Sequence, residues 1–595
     1  MAKRVVKPGR LPRTGRRRAA GRAPPWALLL LGIGALTACG GEPNRSVVLI
    51  TLDSTRPDGL GAYGHAPDST PNLDWLGEEG IVFDHAYTVA PLTLPAHASM
   101  LTGLYPPRHG LRDDGISSLP QTAVTLAERA REAGLATAAF VGSAALDTGF
   151  GLEQGFDAYE PPARRFFNAT GKADERPANE VCARAERWLG QRDPEQPFFL
   201  WVHLRDPHPP HTVDERLLTR AGGDAYQAEI MAVDQAIGRL LATLRLREEL
   251  DPTLVIVAGD HGLARGEHGE TGHGDFVWNT TLRVPLIVRR PFGRGGGRRV
   301  GEPVSVVDVY ATALRGMGLE VRGDVDSHDL LGEQRPGSVY FESLRGALAY
   351  GWQPWTGWID ERGKSMHAGR SLLFALDDRA EAHDLATAQA ADVAIHRANI
   401  ATVMRAATLQ PDAEGVDAVL REALEAVGYG QASFESQIVE TPTEAGRTDP
   451  LDRVEEASEL HAAETLTSKE DWTASEARLS SLLERYPDNR TAWELLGLVC
   501  LRTDRPARAV ELLERALAPG LGRAQTWMRL GKARVVTGDE EGALKAFLRC
   551  LELDPNEVQA LGGLLHLMDG AGLEARAAPL RERFEAIQER DLESR

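Results

Sequence analysis

At 595 residues, 42% hydrophobic and 26% charged, with no long low-complexity tract, the chain exceeds a single core and reads as a folded protein of two or more domains. Its formal charge is −19; without residues 1–38, which hold nine Lys/Arg and no acid, 58 basic residues stand against 86 acidic ones, or −28. Such a surface repels nucleic acid, and no basic patch with interleaved aromatics is present, so no nucleic-acid partner is expected.

The first 38 residues read as an export signal: a basic stretch through Arg22, the thirteen-residue run WALLLLGIGALTA, then Leu36-Thr37-Ala38-Cys39. The run is short for a permanent bilayer span. The tetrad resembles a bacterial lipobox, in which cleavage before Cys39 exposes it for lipid attachment; a plain signal peptide with a chance Cys is the other reading. The expectation is a lipoprotein of the bacterial cell envelope, membrane-anchored at Cys39 and facing outside the cytoplasm. Cys182, Cys500 and Cys550 are scattered and imply neither a disulfide framework nor a Cys-based metal site.

From Ser46 to about Gly337, apolar β-branched runs (SVVLITLD, ATAAFVG, FFLWVHL, TLVIVAGD, VPLIVRR) alternate with helical patterns such as QTAVTLAERAREAG and AYQAEIMAVDQAIGRLLATL. This predicts an α/β fold with a mostly parallel sheet covered on both faces. Ligands in such folds sit beyond the carboxyl ends of the strands. Three strand ends carry suitable side chains: Asp53, Asp206 with His208, and Asp260-His261. Within LTLPAHASMLTG, Thr93 either caps a helix or does chemistry at its positive end, with His97 one turn on.

Residues 337–384 mix aromatics with glycine and read as a smaller β-rich part, completing a catalytic domain over 46–430. The polar stretch ESQIVETPTEAGRTDP marks a linker at 431–455. An all-α part over 456–590 then repeats every 34 residues: Trp493-(x)2-Leu496-Gly497 recurs as Trp527-(x)2-Leu530-Gly531, Ala509 answers Ala543, and Pro487 lies two periods before Pro555. The pattern resembles the tetratricopeptide repeat, which implies a concave surface for a protein or peptide partner.

The stretch AGDHGLARGEHGETGHG is the most specific chemical signal. Asp260 and His261 follow a buried strand and precede Gly262, which permits an unusual backbone, while His268 and His273 lie on a Gly-rich loop where core packing does not explain imidazoles. DPHPPH adds Asp206, His208 and His211 on a Pro-stiffened loop.

From Ser46 to about Gly430 the chain resembles the sulfatase family of the alkaline phosphatase superfamily. The matching marks are LITLDSTRPDGLGAYG, TLPAHASMLTGLYPPRHG, FFLWVHLRDPHPPH and TLVIVAGDHGLARGEHG…TLRVPLIV, while YFESLRGALAYGW and LREALEAVGYG resemble the subset with C-terminal tetratricopeptide repeats. Sulfatases place a Cys or Ser, oxidised to formylglycine, where Thr93 stands, and an Arg where His97 stands. Oxidising Thr gives a ketone, so the usual hydrate chemistry is not available. Ser54 occupies the place of a second metal-binding Asp. Relatives in the superfamily that act on phosphate esters use an unmodified Thr there as nucleophile.

The resemblance therefore implies a metal-dependent hydrolase of phosphate or phosphonate esters with Thr93 as nucleophile. Asp53, Asp260 and His261 would hold a divalent cation. A second would be held by His273 with Asp206, His208 and His211, unless His208 and His211 contact the substrate instead. Mixed His/carboxylate ligation favours zinc or manganese over calcium, as one or two ions. The expected substrate is a small-molecule, glycan or lipid ester. A Thr-based sulfuric ester hydrolase and an inactive lipoprotein scaffold that binds partners through its repeats are the alternatives.

Overall fold

The structure, a computed structural model, describes residues 45–66, 68–114, 117–162, 176–209, 211–332, 337–406, 408–409, 446–517 and 522–593. The leader with Cys39, the closing stretch 420–430, residues 431–445 of the expected linker and most of the loop 161–179 lie outside the described residues.

All five apolar runs enter one eight-stranded sheet. Its order is Arg298–Val300, Ile81–Phe83, Leu286–Arg289, Leu254–Gly259, Val47–Leu52, Phe198–Leu204, Ala136–Val141, Ala158–Glu160. Val47–Leu52 is central and parallel to both neighbours, Phe198–Leu204 and Leu254–Gly259. Leu286–Arg289 runs antiparallel beside Leu254–Gly259, so the sheet is mostly parallel, as the alternation of strands and helices predicts. Every residue of VVLITL is buried because both faces are covered: Val47 and Leu49 join one core, Val48, Ile50 and Leu52 the other.

Local chemistry sets the helix starts. Thr125 and Glu128 form a capping box at Leu126–Glu132, and the Asp224 carboxylate accepts from Gln227 N–H at the start of Ala225–Leu246. Downstream, Val339–Ser343, Trp355–Asp360, Gly363–His367 and Ser371–Phe374 form a four-stranded antiparallel sheet. A buried ion pair ties it to the larger part: Arg112 donates Nε and Nη2 to Glu342 (2.7 and 2.6 Å), which also accepts from the Tyr340 hydroxyl (2.6 Å).

Eight helices follow: Val454–Ser468, Trp472–Arg485, Arg490–Arg502, Pro506–Leu517, Ala524–Thr537, Glu540–Leu553, Val558–Gly570 and Glu574–Glu593. The Leu-Gly pair of each repeat has a packing reason. A Cβ on Gly497 would lie 2.8 Å from Leu513, and one on Gly531 would lie 2.5 Å from Phe547, sixteen residues on in both repeats. These helices share a core with the first part: Phe276, Trp352 and Trp355 pack in one cluster with Leu460, Leu479 and Leu496. Glu456 clamps the junction, accepting from Trp352 Nε1 and Asn489 Nδ2 (both 2.9 Å). Among the described residues no helix is long and apolar enough to cross a membrane.

Candidate active site

The site begins where the central strands end. Asp53 N–H donates to Leu204 O (3.0 Å) and Asp260 N–H to Leu52 O (3.2 Å), so each aspartate extends the parallel ladder by one step and stands at its carboxyl edge. Ser54 then turns with φ +53°, a left-handed conformation uncommon outside glycine. The site itself locks that turn: Ser54 N–H donates to Asp260 Oδ1 (3.3 Å) and its hydroxyl to Asp53 Oδ1 (2.9 Å). Gly262 does not adopt a left-handed backbone; it is needed because a Cβ there would stand 2.2 Å from the Thr280 carbonyl oxygen.

Thr93 is not a cap. Leu92 holds the cap position, Thr93 is the first residue of the helix Thr93–Thr102, and no side-chain cap bond forms. Its hydroxyl instead lies 3.1 Å from His261 Nε2. His261 Nδ1 donates to the Gly262 carbonyl (3.0 Å), so Nε2 is the nitrogen that faces the Thr93 hydroxyl. The same nitrogen is 3.6 Å from Asp53 Oδ1 and 3.7 Å from Asp260 Oδ2.

Asp53, Asp260 and His261, all buried, each offer a ligand atom, and these atoms lie within 4.8 Å of one another. Asp260 Oδ2 has no hydrogen-bond partner. Burial and the neighbouring Asp53 push the Asp260 carboxyl well above the usual range. Two adjacent buried carboxyls with an unpartnered oxygen, beside an imidazole nitrogen that faces both, are a donor set that fits a divalent cation.

Several expected roles need correction. Amide donors at the start of the Thr93 helix are largely taken: Leu94 N–H donates to Asp114 (2.9 Å), Pro95 has none, and Ala96 N–H donates to Leu92 O (3.2 Å). His97 is wholly buried, donating Nδ1–H to Thr93 O (2.7 Å) with Nε2 on Thr51 Oγ1 (3.0 Å), so it positions rather than touches a substrate. Asp206 is drawn away by Ala178 N–H (2.7 Å) at the start of the helix Ala178–Gln191, and His211 by Glu229 (2.6 Å). His268 stacks on Trp278 at 3.9 Å.

His208 and His273 do meet. Burial holds both rings neutral, His208 down to about 4. His208 Nδ1 lies 2.6 Å from Pro209 O and 2.9 Å from Arg205 Nη2, His208 Nε2 meets His273 Nε2 (3.1 Å), and His273 Nδ1 donates to Pro91 O (3.0 Å). His273 in turn stacks on His261 at 4.1 Å. With Asp206 and His211 elsewhere, no carboxylate among the described residues completes a ligand group with this pair, and both candidate ligand groups there share Asp260.

Sequence reasoning passed over His203 and Asp114. His203 sits inside FFLWVHL, where the apolar run hides it; the parallel register pairs it with Thr51, two residues before Asp53, and that pairing was the available signal. Asp114 follows a loop and carries no spacing cue.

Residues 45–319 match the sulfatase family model, and residues 462–524 and 505–558 match the tetratricopeptide repeat. The chain is 27% identical over 400 residues to steryl-sulfatase of Mus musculus, covering 48% of this chain and 64% of that protein, just under two thirds of its length. It is 24% identical over 419 residues to the uncharacterised sulfatase YidJ of Escherichia coli (strain K12), covering 58% and 83%. The solved structure of a putative sulfatase from Bacteroides fragilis superposes with a TM-score of 0.53 at 23% identity, over 62% of this chain and 97% of that one, and so shares its fold.

Proposed function

From a sulfatase-family domain followed by tetratricopeptide repeats, we propose a metal-dependent hydrolase of phosphate, phosphonate or sulfate esters, with Thr93 as the nucleophile. The observation that carries the reading is the Thr93 hydroxyl, 3.1 Å from His261 Nε2 at the point where Asp53 and Asp260 converge. Asp53, Asp260 and His261 would hold the divalent cation, zinc or manganese by their chemistry, which when bound lowers the pKa of a hydroxyl and offsets negative charge as it develops. His261 and the helix position Thr93. The Thr93 oxygen attacks the phosphorus or sulfur, the bond to the leaving oxygen breaks with its electron pair, and water later cleaves the new ester on Thr93. His208 and His273, neutral and adjacent to each other, with His273 stacked on His261, are the imidazoles offered to the ester's oxygens.

The proposal extends to the rest of the chain. The domains are a leader over 1–38, the catalytic domain over 46–430, a linker over 431–455 and repeats over 456–590. Lipid on Cys39 anchors the protein at the bacterial envelope, and the repeats receive a protein or peptide partner. The catalytic reading is tested with a panel of aryl phosphate, phosphonate and sulfate esters, comparing wild type with Thr93→Ala. Loss of at least about 10³-fold in kcat on the ester that wild type cleaves supports it. Turnover unchanged by Thr93→Ala rejects the nucleophile, and no turnover by wild type on any ester favours a scaffold. Membrane partitioning unaffected by Cys39→Ser rejects the anchor.

A further inference from the structure

The strand Phe198–Leu204 brings a third buried imidazole to the two carboxylates, and the protons around it can be assigned by elimination. The Thr51 hydroxyl is the hub: Trp201 Nε1 lies 2.9 Å away, His97 Nε2 3.0 Å and His203 Nδ1 3.0 Å. An indole nitrogen only donates and a backbone carbonyl only accepts. Trp201 therefore donates to Thr51, and His97 uses its Nδ1 proton on the Thr93 carbonyl, 2.7 Å away.

Thr51 has one proton left to give and one lone pair left to accept with. If it donates to His203, then His97 must donate from Nε2 as well and become an imidazolium at a site with no exposure. A single ring proton already satisfies both His97 nitrogens, with Nδ1 giving it to Thr93 O and Nε2 accepting from Thr51. Thr51 therefore donates to His97 Nε2 and accepts from His203 Nδ1–H. The remaining nitrogen, His203 Nε2, is left a bare lone pair. It is buried, lacks a hydrogen-bond partner and lies 3.6 Å from Asp53 Oδ2.

Two lone-pair donors facing each other repel unless a cation lies between them. We propose that His203 is a fourth protein ligand of the active-site cation, and that Thr51 and His97 act as positioning residues that keep its Nε2 unprotonated. The inference rests on the metal reading of Asp53, Asp260 and His261. Charge supports it: two carboxylates balance a dication, so the added ligands are best neutral imidazoles. His97, although grouped with His203 and Asp260 by distance, is ruled out as a ligand because its nitrogen near Asp260, Nδ1, carries the proton given to Thr93 O. His203 also supplies the ligand that Ser54 cannot, since the Ser54 hydroxyl is turned onto Asp53.

The test is zinc binding to the full chain, read without turnover. Zinc-edge X-ray absorption on the wild-type protein loaded with one equivalent is expected to show two imidazole ligands, His261 and His203. His203→Ala is expected to show one and to weaken zinc affinity by about 100-fold or more, measured by competition with a chelator. Thr51→Val, which keeps the shape and removes the hub, is expected to weaken zinc by about 10- to 100-fold in the same chelator competition, on protein whose urea transition shows it folded. One imidazole in the wild-type protein, or unchanged affinity in His203→Ala, overturns the inference while the cation at Asp53, Asp260 and His261 stands. Failure of the wild-type protein to bind zinc or manganese overturns both.

Discussion

The hydroxyl of Thr93 and the ring of His261 meet because one begins a helix and the other follows a strand, and their chemistry depends on single atoms. Thr93→Ser keeps the oxygen and is expected to hold kcat within about tenfold of wild type, in contrast to the alanine variant; initial rates on the same ester decide. A second residue-scale prediction concerns His109, whose ring accepts from Leu111 N–H at Nδ1 (3.1 Å) and reaches Ser99 Oγ from Nε2 (2.9 Å). Burial, then the Arg112 charge, lowers it to about 3 from 6.5. Below pH 6.5 the unfolded chain takes up a proton that the native ring refuses. The stabilisation is thus complete above pH 6.5 and lost as pH falls toward 3, by about 1.4 kcal/mol per pH unit. Urea midpoints from pH 7 to 5 are expected to fall less steeply in His109→Gln than in wild type. Glu342→Ala, which strands buried Arg112, is expected to lower stability by about 3–5 kcal/mol in the same assay.

Elements decide how accurately those atoms are presented. The turn Asp260–Gly262 passes so close to Thr280 that Gly262→Ala must displace it. The expected result is about 1–3 kcal/mol of lost stability, together with at least tenfold weaker zinc binding. Wild-type affinity in that variant would show that the turn tolerates displacement. The strands, the parallel sheet and the placement of Asp53 and Asp260-His261 at its edge were readable in the sequence, because continuous apolar runs and polar strand ends are local patterns. What was not readable depends on partners far along the chain. Asp206 had the right neighbours in sequence but lies next to a free helix N–H from Ala178. His211 found Glu229. The Thr93 helix lost its Leu94 amide to Asp114, and His203 gained its meaning only from its register with Thr51.

At the scale of the whole molecule, the repeats are packed onto the catalytic part through a common core that includes Phe276, Trp352 and Leu460. Removing residues 446–593 is expected to expose that cluster, giving a catalytic part that binds a hydrophobic dye and leaves solution as aggregate. A monodisperse, dye-negative truncation would mean the core is not shared in solution. The contact reaches the active-site loop itself. A Cβ on Gly272 would lie 3.3 Å from the His461 ring, and one on Gly269 would lie 2.6 Å from Val454, both residues of the first repeat helix. Two glycines of the loop that carries His273 are therefore matched to side chains almost two hundred positions away. Grafting a foreign array onto this catalytic part, or moving this array to another enzyme, would separate surfaces shaped to each other.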